Sequence, residues 1–337
     1  MSIEFAKIGI QFKMPVYRVD DIWAGMEGSC FSADLRRRLE SSREFVLDLT
    51  GYHTGHDTVA ALKTLLTQAD LIDGARFLTE TSFVNDSDPA IIYFAKSFYN
   101  ASFLNADRPR AINRHRQYKI SCLNRMSRPQ RLYVFYQLFH REYFGSSLIS
   151  CRGLVNSYTE SSLSLDSQEY QDLPKEVHDF FLEKNTFWES IPGDATTQDY
   201  VAIYSGVGHP AYADSLLNIV TESTVADDMI CLSEKICKPL RSQQLFTLVG
   251  NKDAMHLLRT MGFDCFDQDL DHHDYDKKPN WIHRIDSMLT LIDQKYQQLD
   301  EIYQHNRSGL EHNQQWFYSS NFREKLLENL RQTDLII

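Results

Sequence analysis

The chain has 337 residues, which is enough for two domains when about 150 residues make one. Its 35 basic and 46 acidic side chains give a net charge of 35 − 46 = −11, which excludes a protein that coats nucleic acid through a strongly basic surface. The composition, 42% hydrophobic and 24% charged, is that of a globular protein with a sizeable core.

Features of membrane and secreted proteins do not stand out in this sequence. No apolar run is long enough for a transmembrane helix, and the first 21 residues have neither a basic start with an apolar core nor a cleavage site. The six cysteines are scattered and form no CxxC pair. We therefore expect reduced, mostly buried thiols in a cytoplasmic protein without membrane insertion.

Hydrophobic periodicity predicts helices alternating with strands or short apolar stretches along the chain. The predicted strands and apolar stretches are 43–50, 75–79, 118–124, 147–151, 217–223, 245–250 and 263–266. The predicted helices are 56–69, one beginning at Asp88, 128–143, one near 177–190, 234–241, 253–261, 281–304 and 312–332. The polar, Ser-rich part of 155–200 is interpreted as an insertion or lid-like connection.

This alternation favours parallel sheets, with ligands bound outside the carboxyl ends of the strands. The predicted fold class is α/β, with two Rossmann-like lobes, a cleft between them and C-terminal helices. The predicted domains are an N-terminal lobe at 1–115, a second lobe at 116–310 and a C-terminal helix at 311–337.

Two segments combine a helix start with basic side chains, the arrangement that favours a phosphate or pyrophosphate. In the first, Ser233 is a predicted N-cap, Lys235 and Lys238 lie on neighbouring positions, and Glu234 is suited to a ribose diol. The second, Asn124 to Arg131, places Arg128 and Arg131 at a helix start directly after a strand, with Ser127 as a possible N-cap. Each segment could equally be a capped, solvated helix start.

Two further segments carry clustered titratable groups. Asp48, His53, His56 and Asp57 lie where a strand runs into a helix, and each is a candidate general base. The two histidines could instead bind a metal, but no third ligand is evident. The segment 267–276 contains DxD pairs and adjacent histidines, which fit either a divalent metal or solvated turns.

These motifs, in this order, resemble a family of glycosyltransferases found in phages and environmental bacteria. KISCLNRMSRPQR at 119–131 matches an LNRxxRPxR segment, SEKICKPL at 233–240 with the later LVG matches SEKxxKP…LVG, and DLTGYHTGHD matches an Asp/His segment. Residues 218–276 are similar to the donor-binding domain of GT-B sugar-nucleotide transferases, closest to the α1,3-fucosyltransferase-like branch. The resemblance covers roughly residues 45–290.

The resemblance implies a nucleotide-sugar donor as co-substrate and no metal or other cofactor. Glu234 would bind the donor ribose, Lys235 and Lys238 the diphosphate, and Glu222 the nucleotide or sugar. Arg128 and Arg131, in the segment opened by Asn124, would neutralise the leaving nucleoside diphosphate. Asp48, His53, His56 or Asp57 would activate the acceptor hydroxyl.

We therefore expect a transferase that moves a sugar from a nucleotide sugar to a hydroxyl of a glycan, protein or small molecule. One alternative is a phage enzyme that glycosylates a hydroxymethylated base in DNA, with a groove formed by Arg108, Arg110, Arg114, Arg116 and Arg125. Another is a catalytically silent protein that binds nucleotide sugars. The acidic net charge disfavours DNA as a partner.

Overall fold

The computed structural model shows an α/β protein with two sheets of mainly parallel strands. It describes residues 5–6, 10–24, 26–27, 30–50, 56–83, 88–104, 115–124, 126–151, 153–154, 165, 170–184, 188–189, 210–227 and 229–337. The chain forms two compact units. Unit 1 comprises Met1–Ala106, Asp228–Leu232 and Tyr318–Ile337, and unit 2 comprises Asp107–Asp227 and Ser233–Phe317.

The elements alternate between strands and helices, as the periodicity predicts. The strands are β1 (Val16–Arg18), β2 (Met26–Glu27), β3 (Cys30–Phe31), β4 (Phe45–Asp48), β5 (Ala75–Thr79), β6 (Thr81–Phe83), β7 (Ile91–Tyr93), β8 (Tyr118–Asn124), β9 (Leu148–Cys151), β10 (Trp188–Glu189), β11 (Ser215–Thr221), β12 (Met229–Cys231) and β13 (Leu245–Val249).

The helices are α1 (Val19–Ala24), α2 (Ala33–Ser42), α3 (His56–Gln68), α4 (Lys96–Leu104), α5 (Pro129–Phe139), α6 (Lys175–Lys184), α7 (Pro210–Ala213), α8 (Glu234–Arg241), α9 (Ala254–Thr260), α10 (His272–Asp276), α11 (Trp281–Lys295), α12 (Leu299–His305), α13 (Arg307–Tyr318) and α14 (Ser320–Gln332). Short 3₁₀ turns lie at Ile72–Gly74, Phe144–Ser146 and Tyr296–Gln298. No helix in the described ranges is long and apolar enough to cross a membrane.

Unit 1 contains a parallel four-stranded sheet in which the strand order β1-β4-β5-β7 follows the chain. The last residues of three of its strands, Asp48, Thr79 and Tyr93, therefore lie along one carboxyl edge. The C-terminal segment belongs to the same unit: Lys13 N donates to the carbonyl of Leu335 at 2.9 Å, and the rings of Phe98 and Phe322 are 6.3 Å apart.

Unit 2 contains a five-stranded sheet in the order β10-β9-β8-β11-β13, in which only β10 is antiparallel to its neighbour. All seven residues of β11 and all five of β13 are buried, as expected for parallel strands covered on both faces. The chain runs from β8 outward to β9 and returns to the other side of β8 for β11. The strand order thus reverses between β8 and β11, the position where open α/β sheets bind ligands.

Two predicted elements are wrong, each because a side chain closes a turn. The helix predicted from Asp88 is a turn followed by β7, since Asp88 Oδ1 accepts the N–H of Ala90 at 2.8 Å, and the next helix begins only at Lys96. The strand predicted at 263–266 is absent because Asp264 Oδ1 accepts the N–H of Phe266 at 2.8 Å, and Phe266 has a positive φ of 62°.

Two long predicted helices are interrupted. The stripe at 281–304 is divided into α11 and α12 by the 3₁₀ turn at Tyr296–Gln298. The helix predicted at 312–332 is divided into α13 and α14 because Ser319 caps the second helix by accepting the N–H of Phe322 at 3.0 Å. Apolar periodicity continues across both breaks, so it does not reveal them.

The cysteines that the structure describes with their side chains, Cys122, Cys151, Cys231, Cys237 and Cys265, are free and buried, as expected for reduced thiols. Burial raises the pKa of Cys122 and of Cys151 to about 12. Both thiols therefore remain protonated at neutral pH and are poor nucleophiles.

His272 connects α10 to the core of unit 2. The side chain is fully buried, its Nε2 donates to the carbonyl of Cys265 at 2.7 Å, and its Nδ1 accepts from the hydroxyl of Tyr275 at 2.7 Å. That hydroxyl in turn accepts the N–H of Leu248 in β13. Burial lowers the pKa of His272 to about 4, so the folded protein holds a neutral imidazole at this position.

We expect His272 to make the protein less stable as the pH falls from 6.5 to 4. In this range the unfolded chain binds a proton on His272 and the folded chain does not, so the loss can reach about 3 kcal/mol. Urea unfolding at both ends of the range measures it. His272→Gln should flatten the dependence, whereas His273→Gln, which changes an exposed neighbour, should leave it unchanged. Equal profiles for the two variants would contradict this assignment.

Candidate anion-binding site

The ends of β8 and β11 are joined by side chains where the strand order reverses. Asn124, the last residue of β8, accepts a hydrogen bond from the hydroxyl of Thr221, the last residue of β11. Gln130 Nε2 donates to the carbonyl of Glu222 at 2.9 Å. Asn124 is buried and braces two strands, so it shapes the carboxyl edge from below.

Helix α5 begins at this edge and brings two arginines to it. Pro129 occupies the first turn, as predicted, but Ser127 is not the N-cap: its hydroxyl donates to the carbonyl of Gly153. The N-cap is Arg128, and no side chain caps the helix. The first-turn N–H groups, whose partial charge is positive, are therefore left without a side-chain acceptor.

Arg131 is the most buried cation at the edge, with 4% of its surface exposed. Its guanidinium makes only long contacts, 3.3 Å to the carbonyl of Thr221 and 3.4 Å to those of Glu222 and Met126. Its Nε is buried and has no hydrogen-bond partner among the described residues. Burial lowers the pKa of Arg131 and the charge of Glu222 opposes this effect, so the guanidinium stays charged.

Helix α8 starts at the same edge and is capped as predicted. The hydroxyl of Ser233 accepts the N–H of Lys235 at 3.3 Å and itself donates to the carboxylate of Glu222. The backbone N–H of Ser233 also donates to that carboxylate, at 3.0 Å. The Lys235 ammonium lies 3.8 Å from Glu222 and 3.4 Å from Glu234. Glu222 therefore fastens the start of α8 to the end of β11.

The two carboxyl groups differ in environment. Burial raises the pKa of Glu222, and Lys235 and the two Ser233 donors only partly offset it. Burial also acts on Glu234, but Lys235, a backbone N–H and Lys238 outweigh it and lower the pKa of Glu234. Glu234 is thus an ionised, half-buried acceptor at the helix start.

The structure brings Asn124, Arg128, Arg131, Glu222, Ser233, Glu234 and Lys235 together at this edge, but Lys238 lies elsewhere. Its ammonium lies over the ring of Tyr212, 5.2 Å from the ring centre. Tyr212 precedes β11, and its carbonyl accepts from Arg116, which precedes β8. Lys238 therefore faces the amino ends of the strands.

The candidate general bases belong to unit 1. Asp48 is buried at the carboxyl edge of the sheet; its Oδ1 accepts from the N–H of Thr50 at 3.0 Å and from the Thr50 hydroxyl, and its Oδ2 lies 3.6 Å from the Lys96 ammonium. His53 lies outside the described residues. His56 and Asp57 form the start of α3, and their side chains are outside the description.

Other predicted groups have structural partners. Arg116, an expected member of a DNA-binding groove, is buried; it donates to Tyr303 and to the carbonyls of residues around the strand starts, so the groove prediction is wrong for it. Arg108, Arg110, Arg114 and Arg125 lie outside the described residues.

The Asp-rich segment is also engaged. Asp267 pairs with Arg259, and Asp269 accepts from His305 and Asn306 at 2.7 Å. Asp271 caps α10 through the N–H of His273. Across the described part of the chain, no three His, Cys, Asp or Glu side chains are grouped so that they would hold a metal ion.

Two charged residues of unit 1 were missed by the sequence analysis. Glu80 follows β5 as Asp48 ends β4, and its carboxylate accepts the N–H of Ser97. Lys96 is buried beside Asp48, with its ammonium 4.6 Å from the centre of the Phe5 ring. The repeated position of an acidic residue at a strand end was the signal for Glu80, whereas nothing local marks Lys96.

Comparisons with known proteins give no match. No family model, no curated protein and no solved structure matches this chain.

We expect Ser233→Ala to destabilise the protein by about 2–4 kcal/mol, because it removes a helix cap and one of the two Ser233 donors to a buried carboxylate. Ser319→Ala is the matched control: it removes a cap whose hydroxyl accepts the N–H of Phe322, and should cost about 1 kcal/mol. Denaturant unfolding at pH 7 compares them. Equal losses would show that Glu222 does not depend on Ser233.

Proposed function

We propose that the protein is a glycosyltransferase that moves a sugar from a nucleotide-sugar donor to a hydroxyl acceptor. In this proposal unit 2 is the donor-binding lobe and unit 1 the acceptor-side lobe of a GT-B enzyme. The donor diphosphate lies at the carboxyl edge between β8 and β11. The proposal rests on the chemistry of this edge together with the motif resemblance.

The observation that carries it is the Arg131 side chain. A buried guanidinium is ordinarily satisfied by hydrogen bonds, yet Arg131 Nε has no partner among the described residues and its other contacts are at least 3.3 Å long. A planar guanidinium with an open donor suits the oxygens of a phosphate. Its position at the reversal of strand order is where a nucleotide is expected.

The neighbouring groups support the departure of a nucleoside diphosphate. When the bond to the sugar breaks, negative charge grows on the diphosphate oxygens. Arg128, Arg131 and the uncapped start of α5 already present positive charge there, so they stabilise that transition state without rearranging. Glu234, ionised at the start of α8, is placed to accept hydrogen bonds from the ribose hydroxyls.

The acceptor hydroxyl requires a base, which we place in unit 1. Asp48, His53, His56 and Asp57 remain the candidates. Asp48 accepts two hydrogen bonds from Thr50 and faces Lys96, an environment that favours the ionised carboxylate. It can accept a proton directly, or it can orient an imidazole that does so.

The donor site is tested by thermal unfolding with nucleoside diphosphates and their sugar conjugates. A ligand at about 100 times its dissociation constant stabilises by about 2.7 kcal/mol. Arg131→Lys keeps the charge but removes Nε, and we expect about tenfold weaker binding or more. Arg141→Lys, whose side chain pairs with Asp293 at the surface, should bind like the wild type. A wild type that no nucleotide stabilises would refute the proposal.

The base is tested by single substitutions in a transfer assay with the donor identified above. Replacing the true base, by Asn for aspartate or Gln for histidine, should lower kcat about 100-fold or more and leave donor binding unchanged. The pH profile of kcat/KM should lose its acidic limb in the same variant. Donor binding without turnover in the wild type, with any acceptor class, would instead favour a silent binding protein.

A further inference from the structure

Glu222 places a negative charge inside a site that is otherwise basic. Its side chain is 1% exposed, and both carboxylate oxygens accept hydrogen bonds from Ser233, one from the N–H and one from the hydroxyl. A ligand therefore meets Ser233 and Lys235 first and does not contact Glu222 directly. The carboxylate acts on the ligand through its charge, which burial leaves poorly screened.

The balance of charge at the edge depends on this one group. We call Arg128, Arg131, Lys235, Glu222 and Glu234 the edge cluster; its three cations and two carboxylates sum to one positive charge when all are ionised. Without Glu222 the sum is two. The Glu222 carboxylate lies 3.8 Å from the Lys235 ammonium, and its backbone carbonyl contacts Arg131, so it weakens the attraction of both cations for an anion.

Donor and product differ in charge as well. In a nucleotide sugar both phosphates are esterified, whereas the released nucleoside diphosphate has a terminal phosphate whose second ionisation lies near pH 6. Above that pH the product carries about one more negative charge than the donor. A site of low positive charge therefore favours the donor relative to the product.

We infer that Glu222 is a specificity-determining residue that limits the affinity of the site for the free nucleoside diphosphate relative to the nucleotide sugar, and so promotes product release. The inference rests on the proposed function, because it assigns the edge cluster to the diphosphate. It differs from the role implied by the resemblance, in which Glu222 contacts the nucleotide or sugar. Here Glu222 acts from behind Ser233.

The test compares dissociation constants of UDP with UDP-glucose, and of GDP with GDP-mannose, by calorimetry at about pH 8, where the terminal phosphate is fully ionised. In Glu222→Gln the preference for the diphosphate over its sugar conjugate should increase about three- to tenfold, as expected for one added charge at close range. The matched control is Ser233→Ala, which disturbs the same junction and keeps the charge. It should weaken both ligands alike.

A second pair of variants keeps the test decisive where Glu222→Gln folds poorly. Lys235→Met should shift the preference toward the sugar conjugate, and Glu222→Gln/Lys235→Met, which restores the net charge of the edge cluster, should return it close to the wild-type value. An unchanged preference in both Glu222→Gln and the double variant, relative to their parents, overturns the inference while the proposed function stands. If the wild type binds none of the four ligands, both fail.

Discussion

The hydrogen bonds from Ser233 to the Glu222 carboxylate are the interaction on which the architecture of unit 2 depends. A carboxylate buried at a strand end is costly unless donors surround it, and here two donors come from the first residue of the segment that becomes α8. The strand β11 and the helix α8 are thereby held at one point. The positions of Lys235 and Glu234 follow directly from this junction, since both lie in the first turn of the helix.

A second set of bonds ties the neighbouring strand to the same point. Asn124 joins β8 to Thr221 of β11, and Gln130 in the first turn of α5 donates to the carbonyl of Glu222. Two helices therefore begin at one edge, with their positive ends fixed by side chains that are themselves buried. Such an edge is organised before any ligand arrives, which is what electrostatic stabilisation of a leaving anion requires.

The sequence predicted much of this arrangement because the relevant signals are local. Ser233 before Glu234, Pro129 after a strand and the buried apolar runs of β8, β11 and β13 each determine structure within a few residues. The predictions failed where one side chain redirects the backbone: Asp264 creates a turn within an apolar stretch, and Ser319 ends a helix whose apolar stripe continues. Lys238 shares a helix with Lys235, yet the ring of Tyr212, distant in sequence, determines where its ammonium lies. Lys96 was missed for the same reason, since its partner Asp48 is 48 positions away.

The composition of unit 1 bears on how the chain acquires its structure during synthesis. Helix α14 and the residues after it belong to that unit: Leu335 is fully buried, its carbonyl accepts from Lys13, and the N–H of Ile337 donates to the carbonyl of Gln11. A ribosome delivers these residues after every residue of unit 2. Unit 2 can therefore complete its core while the polypeptide is still being elongated, whereas the earliest-made strands must wait for the last-made helix. Nascent unit 1 consequently exposes apolar surface for longest, and chaperones that bind such surface would act there.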